Sequence, residues 1–302
     1  MAKSVLSRYL DPAVLAQAAR RRIEPRGLVI GNLAGAHKSP MSGFAVEFAG
    51  HREYVWGDDP KYIDWRVYFN RQRYMIKQYA METNFVCHLL LDISASMRYG
   101  EGPQQKLRYA SQLAATLAYC ILRQSDKVSL GTFDDRVRGF VPPSNSMAQI
   151  VRITEHLDQT DPVHKTNMAD CLNELTGRTR RREIVVIASD FFAELKPLEA
   201  ALQRMRYQRH EVVLFQVMHH DELAFDLGGM VKFVGLELPE ELLTRPGELR
   251  REYLAALGRF NEELEAICHR NRIERVLVDT SRDLGQVLSD YLHQRSRRHR
   301  GR

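Results

Sequence analysis

The amino-acid sequence predicts a doubly wound α/β fold: a mainly parallel sheet with helices on both faces, preceded by an extended N-terminal arm. Three observations predict it. Short continuous apolar runs (FVCHLLL, IVVIAS and VVLFQVM) recur in the later part of the chain, and such runs mark strands buried on both faces. Segments with apolar residues at helical spacing separate them, and strand–helix alternation of this kind gives a parallel sheet. Before residue 84 the pattern changes to one rich in Gly, Pro and Asp with isolated aromatics, which fits neither a long helix nor repeated strands.

Taken in order, Pro12 to Arg22 reads as a helix that Glu24-Pro25-Arg26-Gly27 breaks. Residues 31–83 read as an arm with short turns, anchored by burying the rings of Trp56, Tyr62 and Trp65. It has too few apolar residues for a core of its own, so it is expected to lie on the following domain. Phe85–Leu91 is the first buried strand, and Gln104–Arg123 is a helix with Leu113, Leu117 and Ile121 on its apolar face. Val128–Phe133 is the next strand, and Asp134-Asp135 turns the chain into Val137–Val141, a hairpin partner at the sheet edge. Pro142-Pro143 is expected to end it. Helices at Met147–Leu157 and Met168–Leu175 precede the strand Ile184–Ser189, the helix Pro197–Arg209 and the strand Val212–Met218. Val231–Leu238 reads as an edge strand, Gly247–Arg270 as a long helix, Val276–Ser281 as the last strand and Leu284–Gln294 as the last helix. The expected organisation is a helix and linker (1–30), the arm (31–83), the α/β domain (84–294) and a basic disordered tail (295–302).

No apolar run in the 302 residues approaches the roughly 20 needed to cross a bilayer. MAKSVLSRYLDP lacks the apolar stretch of a secretory signal, so a cytoplasmic location is expected. The four cysteines are far apart, form no CxxC pair and sit in apolar stretches; reduced core thiols are expected. The net charge is +6, with arginines clustered at 20–22, 178–182 and 295–302. Nucleic-acid binding through these arginines is one alternative, but no zinc spacing or aromatic-interleaved motif accompanies them. Solvated helix ends and a frayed tail are therefore expected.

Chemistry concentrates where strands end. The first strand runs into Asp92-Ile93-Ser94-Ala95-Ser96, and alternate residues after a strand end can converge, which groups Asp92, Ser94 and Ser96. Lys165-Thr166-Asn167 precedes a helix, and Ser189-Asp190 closes the strand at Ile184. Two carboxylates and several hydroxyls are hard oxygen donors, suited to Mg²⁺ or Mn²⁺ and unsuited to zinc. An open coordination position could then accept an acidic side chain of a partner protein. Asp58, Asp59 and Asp64 could form a second acidic site, although pairing with Arg52 and Arg66 to hold the arm down is the preferred reading. His219-His220-Asp221-Glu222 has the composition of a ligand cluster, but adjacent histidines at a strand end point apart, so a coil is expected there.

The set DxSxS, a downstream Thr before a helix and an Asp after a later strand resembles the metal-ion-dependent adhesion site of von Willebrand A domains. That resemblance implies Asp92, Ser94, Ser96, Thr166 and Asp190 as ligands of Mg²⁺ (or Mn²⁺), a von Willebrand A-like (Rossmann-like) fold and a non-enzymatic interaction module. The arm, from Gly35 to Trp65, resembles the signature of the bacterial domain-of-unknown-function family 58 (DUF58), with His37, Glu47, Arg52, Asp58, Asp59, Asp64 and Trp65 among its landmarks. Proteins of that family are commonly encoded beside MoxR-type AAA+ ATPases, which implies such an ATPase as partner in complex assembly. An enzymatic alternative is a Mg-dependent phosphotransferase of haloacid-dehalogenase type, but that chemistry needs a second Asp two residues after the first, where this chain has Ser94.

Overall fold

The computed structural model describes residues 5–18, 23, 46–81, 85–160, 167–179, 183–236 and 241–300. The chain divides into a larger unit, residues 1–24 with 85–302, and a smaller one, residues 25–84. In chain order the elements begin with α1 (Val5–Tyr9), α2 (Pro12–Ala18), β1 (Val46–Glu53), α3 (Trp65–Arg71) and β2 (Met75–Met81). They continue with β3 (Val86–Asp92), α4 (Lys106–Arg123), β4 (Lys127–Phe133), β5 (Val137–Ser144), α5 (Gln149–Asp158) and α6 (Met168–Gly177). Then come β6 (Ile184–Ser189), α7 (Leu195–Tyr207), β7 (Glu211–Met218), α8 (His220–Ala224), β8 (Val231–Val234) and β9 (Glu241–Thr244). The chain closes through α9 (Pro246–Arg270), β10 (Glu274–Asp279) and α10 (Leu284–Arg300).

In the larger unit, six strands form one sheet in the order β10-β7-β6-β3-β4-β5, parallel except for the antiparallel edge strand β5. Its interior strands are apolar throughout because the pleat sends alternate side chains into two separate cores. Leu89, Leu91, Val186, Ala188, Phe215 and Val217 enter the core shared with α4, α5 and α10. Their neighbours Leu90, Val185, Ile187, Val212 and Leu214 enter the opposite core with α6, α7 and α9. The fold is therefore the expected mainly parallel α/β sheet covered on both faces.

Several local expectations are corrected. The linker expected before residue 31 lies outside the described residues, and the helix expected from Pro12 is described over Pro12–Ala18. Asp11 Oδ1 accepts from the Ala13 amide at 2.7 Å, so α2 starts with a capping carboxylate and a proline at its first turn. Tyr9, Val14, Ala18 and Ile23 then join the core beside α4 and α10. Pro142 and Pro143 do not end β5, which pairs as far as Ser144 opposite Val128; on an outer edge the missing amide protons leave no gap in the ladder. β8 is not an edge of the main sheet but pairs antiparallel with β9 in a two-stranded sheet. The last helix continues through the supposed tail to Arg300. Arg295 is only 2% exposed and reaches Glu211 at 2.7 Å and Glu274 at 3.5 Å, which removes it from any nucleic-acid surface.

The smaller unit departs most from the sequence reading. Instead of an arm without strands it holds an antiparallel pair, β1 with β2, whose register shifts between Phe48 and Gly50. That irregularity breaks the period-two pattern by which a strand is read. Trp65, Tyr68 and Tyr74 pack edge-on and stacked against one another. Trp56 is nonetheless 96% exposed and Trp65 52% exposed, so these rings are not buried anchors.

Candidate functional site

β3 and β6 lie side by side, but the chain leaves them in opposite directions, toward β4 on one side and β7 on the other. The crevice outside the carboxyl ends of such a pair is where ligands bind in open α/β sheets. Asp92 is the last residue of β3, and Asp190 follows the last residue of β6. Both are buried. Asp92 Oδ1 accepts from the Ser94 amide at 2.8 Å, and its Oδ2 accepts from Ser189 Oγ at 2.6 Å. Ser94 Oγ and Ser96 Oγ stand 3.1 Å apart. Burial, and next the charge of Asp190, push the Asp92 carboxyl up to about 7, against the hydrogen bonds from Ser189 and Ser94.

A side chain that the sequence reading missed sits among these groups. Lys106, the first residue of α4, is fully buried. Its Nζ donates to Asp190 Oδ2 and to Glu222 Oε1, both at 2.8 Å. Burial draws the Lys106 ammonium down, but Asp190 and Glu222 outweigh it and hold the group above its ordinary value. Tyr99 and Phe192 present ring faces to Nζ at 6.0 and 5.7 Å. The other oxygen of Glu222 accepts from the His219 amide at 2.8 Å, while His219 Nδ1 accepts from the Asp221 amide at 3.2 Å, a capping box that starts α8. The His219 ring also packs edge-on against Tyr99. One signal for Lys106 was available: a lysine in the first turn of a helix opposes the helix dipole and needs a reason to be there.

Of the sequence-derived ligands, the structure brings together Asp92, Ser94, Ser96 and Asp190, whereas Thr166 and the preceding Lys165 lie outside the described residues. The next residue, Asn167, is tied to the end of β4 through its amide and Asp134 O at 2.9 Å. The segment 219–222 is a short helix start rather than coil: His219 faces Tyr99, and His220 Nδ1 lies 2.9 Å from Asp279 Oδ2.

In the smaller unit, His37 lies outside the described residues, and Glu47 falls within β1. Arg52 grips Asp58 through both guanidinium nitrogens at 2.6 Å. Asp59 caps a short turn and pairs with Lys61. Asp64 caps α3, just before Trp65, and pairs with His51 at 2.9 Å rather than with the Arg66 side chain. Among the described residues no group of three or more His, Cys, Asp or Glu is arranged to hold a metal; the strand-end site is instead built from carboxylates and hydroxyls.

A family model described as Protein of unknown function DUF58 matches residues 50–263. Uncharacterized proteins of Mycobacterium tuberculosis and Mycobacterium bovis are 23% identical over 228 residues, covering 73% of this chain and 70% of theirs. Among solved structures, the conserved hypothetical protein BatB from Bacteroides thetaiotaomicron is similar at 15% identity with a TM-score of 0.47, covering 70% of this chain and 99% of that one. An aerotolerance-related membrane protein from Bacteroides fragilis is similar at 16% identity and a TM-score of 0.46, with the same coverage. The SpRpn10 VWA domain is similar at 14% identity and a TM-score of 0.40, over 70% of this chain and 95% of that one. The fold itself is a doubly wound, mainly parallel α/β sheet with helices on both faces. The expected cytoplasmic location is corrected: structural neighbours of this chain include a membrane protein, although no helix among the described residues is long and apolar enough to cross a membrane.

Proposed function

The chain belongs to the DUF58 family, and from that premise we propose that it is a metal-ion-dependent protein-interaction module working with a MoxR-type AAA+ ATPase. The observation that carries the reading is the convergence of Asp92, Ser94 and Ser96, with Asp190 beside them, at the carboxyl ends of two adjacent parallel strands. The donor set fits a small hard cation. Adjacent ligands of an octahedral Mg²⁺ stand about 2.9 Å apart, from typical magnesium–oxygen lengths, and the Ser94 and Ser96 hydroxyl oxygens are 3.1 Å apart. Charge points the same way. Asp190 and Glu222 share one ammonium, Lys106, while the neighbouring Asp92 carboxyl is pushed up by burial and by the charge of Asp190, a strain that a divalent ion would relieve.

In this reading Ser94 and Ser96 hold the ion directly, Asp92 and Asp190 do so directly or through water, and Thr166 completes the set. A bound Mg²⁺ or Mn²⁺ would supply an electrophilic point for an acidic side chain of the partner. The surrounding residues fix the loops: Ser189 orients Asp92, and the Phe192 amide donates to Asp190 Oδ1 at 3.2 Å. The reading is non-enzymatic because the site offers oxygen ligands without an activated nucleophile beside a base.

Calorimetry with the purified protein tests the ion: wild type should bind Mg²⁺, and Asp92→Ala should abolish binding. Equal heats from both would sink the metal assignment. Capture from a bacterial lysate, in Mg²⁺ against EDTA, should recover the ATPase only with the metal; recovery that ignores EDTA would leave the partner but remove the ion from its capture.

A further inference from the structure

Lysine is almost never fully buried unless it is paired, and a cation at a helix N-terminus opposes the dipole. Lys106 accepts both conditions. It is among the largest fully buried side chains of the described residues, and it stands at the first position of an 18-residue helix. Its two partners come from different loops: Asp190 follows β6, and Glu222 lies on α8 after β7. One ammonium thus joins the chain ends of three strands, since Lys106 itself begins the helix after β3. Packing reinforces the junction. Gly100, at φ +92°, lies so close to His219 that a Cβ there would stand 2.7 Å from His219 Cδ2.

Building on the metal reading above, we infer that Lys106 is the site's resident cation, competing with a divalent ion for Asp190. In the ion-free protein the ammonium neutralises Asp190 directly and shares Glu222 with the α8 cap. When Asp190 turns toward an ion, Lys106 is left to Glu222, and the start of α8 becomes the place where occupancy is registered. Lys106 is a positioning residue. It sets how strongly the site takes up a divalent ion and which loop responds.

The test is Mg²⁺ binding by calorimetry on the full chain, with thermal melting of the same samples. In Lys106→Met a positive charge within ion-pair distance of Asp190 is gone, so Mg²⁺ should bind at least about tenfold tighter than in wild type, given the strength of charge interactions at such range. Melting should fall in EDTA, because Asp190 and Glu222 lose their partner, and Mg²⁺ should restore it by a larger increment than in wild type. Should Lys106→Met fail to fold, Lys106→Met combined with Glu222→Gln carries the same comparison with one buried charge fewer. Equal Mg²⁺ affinity in wild type and variant overturns the role of Lys106 and leaves the metal site standing. Absence of binding in wild type and variant alike overturns the metal site, and this inference with it. Binding in the variant alone supports the inference in its strongest form, with Lys106 holding the site in place of the ion.

Discussion

Asp92 ends the central strand in a position that burial makes costly for a charge, and Asp190 adds a second negative group nearby. The consequence for stability has a definite sign. In the unfolded chain an aspartate takes up its proton at about 4, and in the folded protein Asp92 does so at about 7. Between those values the folded state holds more protons, so this group's contribution to stability falls as pH rises. Below about 4 both states are protonated and above about 7 neither is, so the effect is confined to that window. Asp92→Asn stays neutral throughout. In EDTA, its stability relative to wild type should therefore rise from about pH 4 to about pH 7, measured by urea unfolding at several pH values; a flat difference would remove Asp92 from a buried acidic pair. At this scale the sequence grouped Asp92, Ser94 and Ser96, because DxSxS after an apolar run is a local pattern. It did not show that Lys106, Asp190 and Glu222 meet, because they are far apart in the chain and only strand order brings them together.

Among the elements, the buried strands were the most legible. Ile184–Ser189 was read to the residue, because an unbroken apolar run can be satisfied only by two covered faces. Elements whose pattern is local and irregular were not. β1 carries a register shift, α8 has five residues, and β5 runs through two prolines. The same edge strand shows how a position can be fixed by a neighbour. At Gly139 a Cβ would collide with the His156 ring, which is held by Thr132 Oγ1 at 2.9 Å. Gly139→Ala should therefore destabilise the protein by about 1–3 kcal/mol, the usual result of overpacking, visible as a lowered urea midpoint. An unchanged midpoint would mean that the His156 ring moves aside freely. On the far face, Leu264 of α9 is fully buried among α7 and β6 residues. Leu264→Ala should cost about 2–5 kcal/mol through lost burial and a residual cavity, and the same unfolding measurement checks it.

Over the whole molecule, the alternation of strand and helix was enough to give the sheet and its two covers, whereas the C-terminal tail was misread because composition alone represented it. Arg295 looks like the start of a basic tail, yet α10 carries it to Glu211 on β7 and Glu274 on β10, with Tyr291 Oη 3.2 Å from its Nη1. The last helix thereby clasps the two strands at one edge of the sheet. Removing one partner of a buried ion cluster leaves the others uncompensated, at a cost of roughly 3–5 kcal/mol. Arg295→Met should lose about that much stability by urea unfolding, and truncation after Gln294 should do the same. Wild-type stability in both would return Arg295 to the solvent.

The four thiols offer a practical opening. Cys87, Cys120, Cys171 and Cys268 are unpaired and buried, and burial pushes Cys120 up to about 11 and Cys171 and Cys268 up to about 12, with Cys87 raised as well. Thiolate is the reactive form, so the folded protein presents a silent background to maleimide dyes. A single cysteine introduced at the exposed Glu101, one residue past Gly100, should take one label per chain without any native cysteine being replaced. A fluorophore there, beside the glycine that packs against His219 at the start of α8, would report in real time whether that helix start responds as metal and ammonium compete for Asp190.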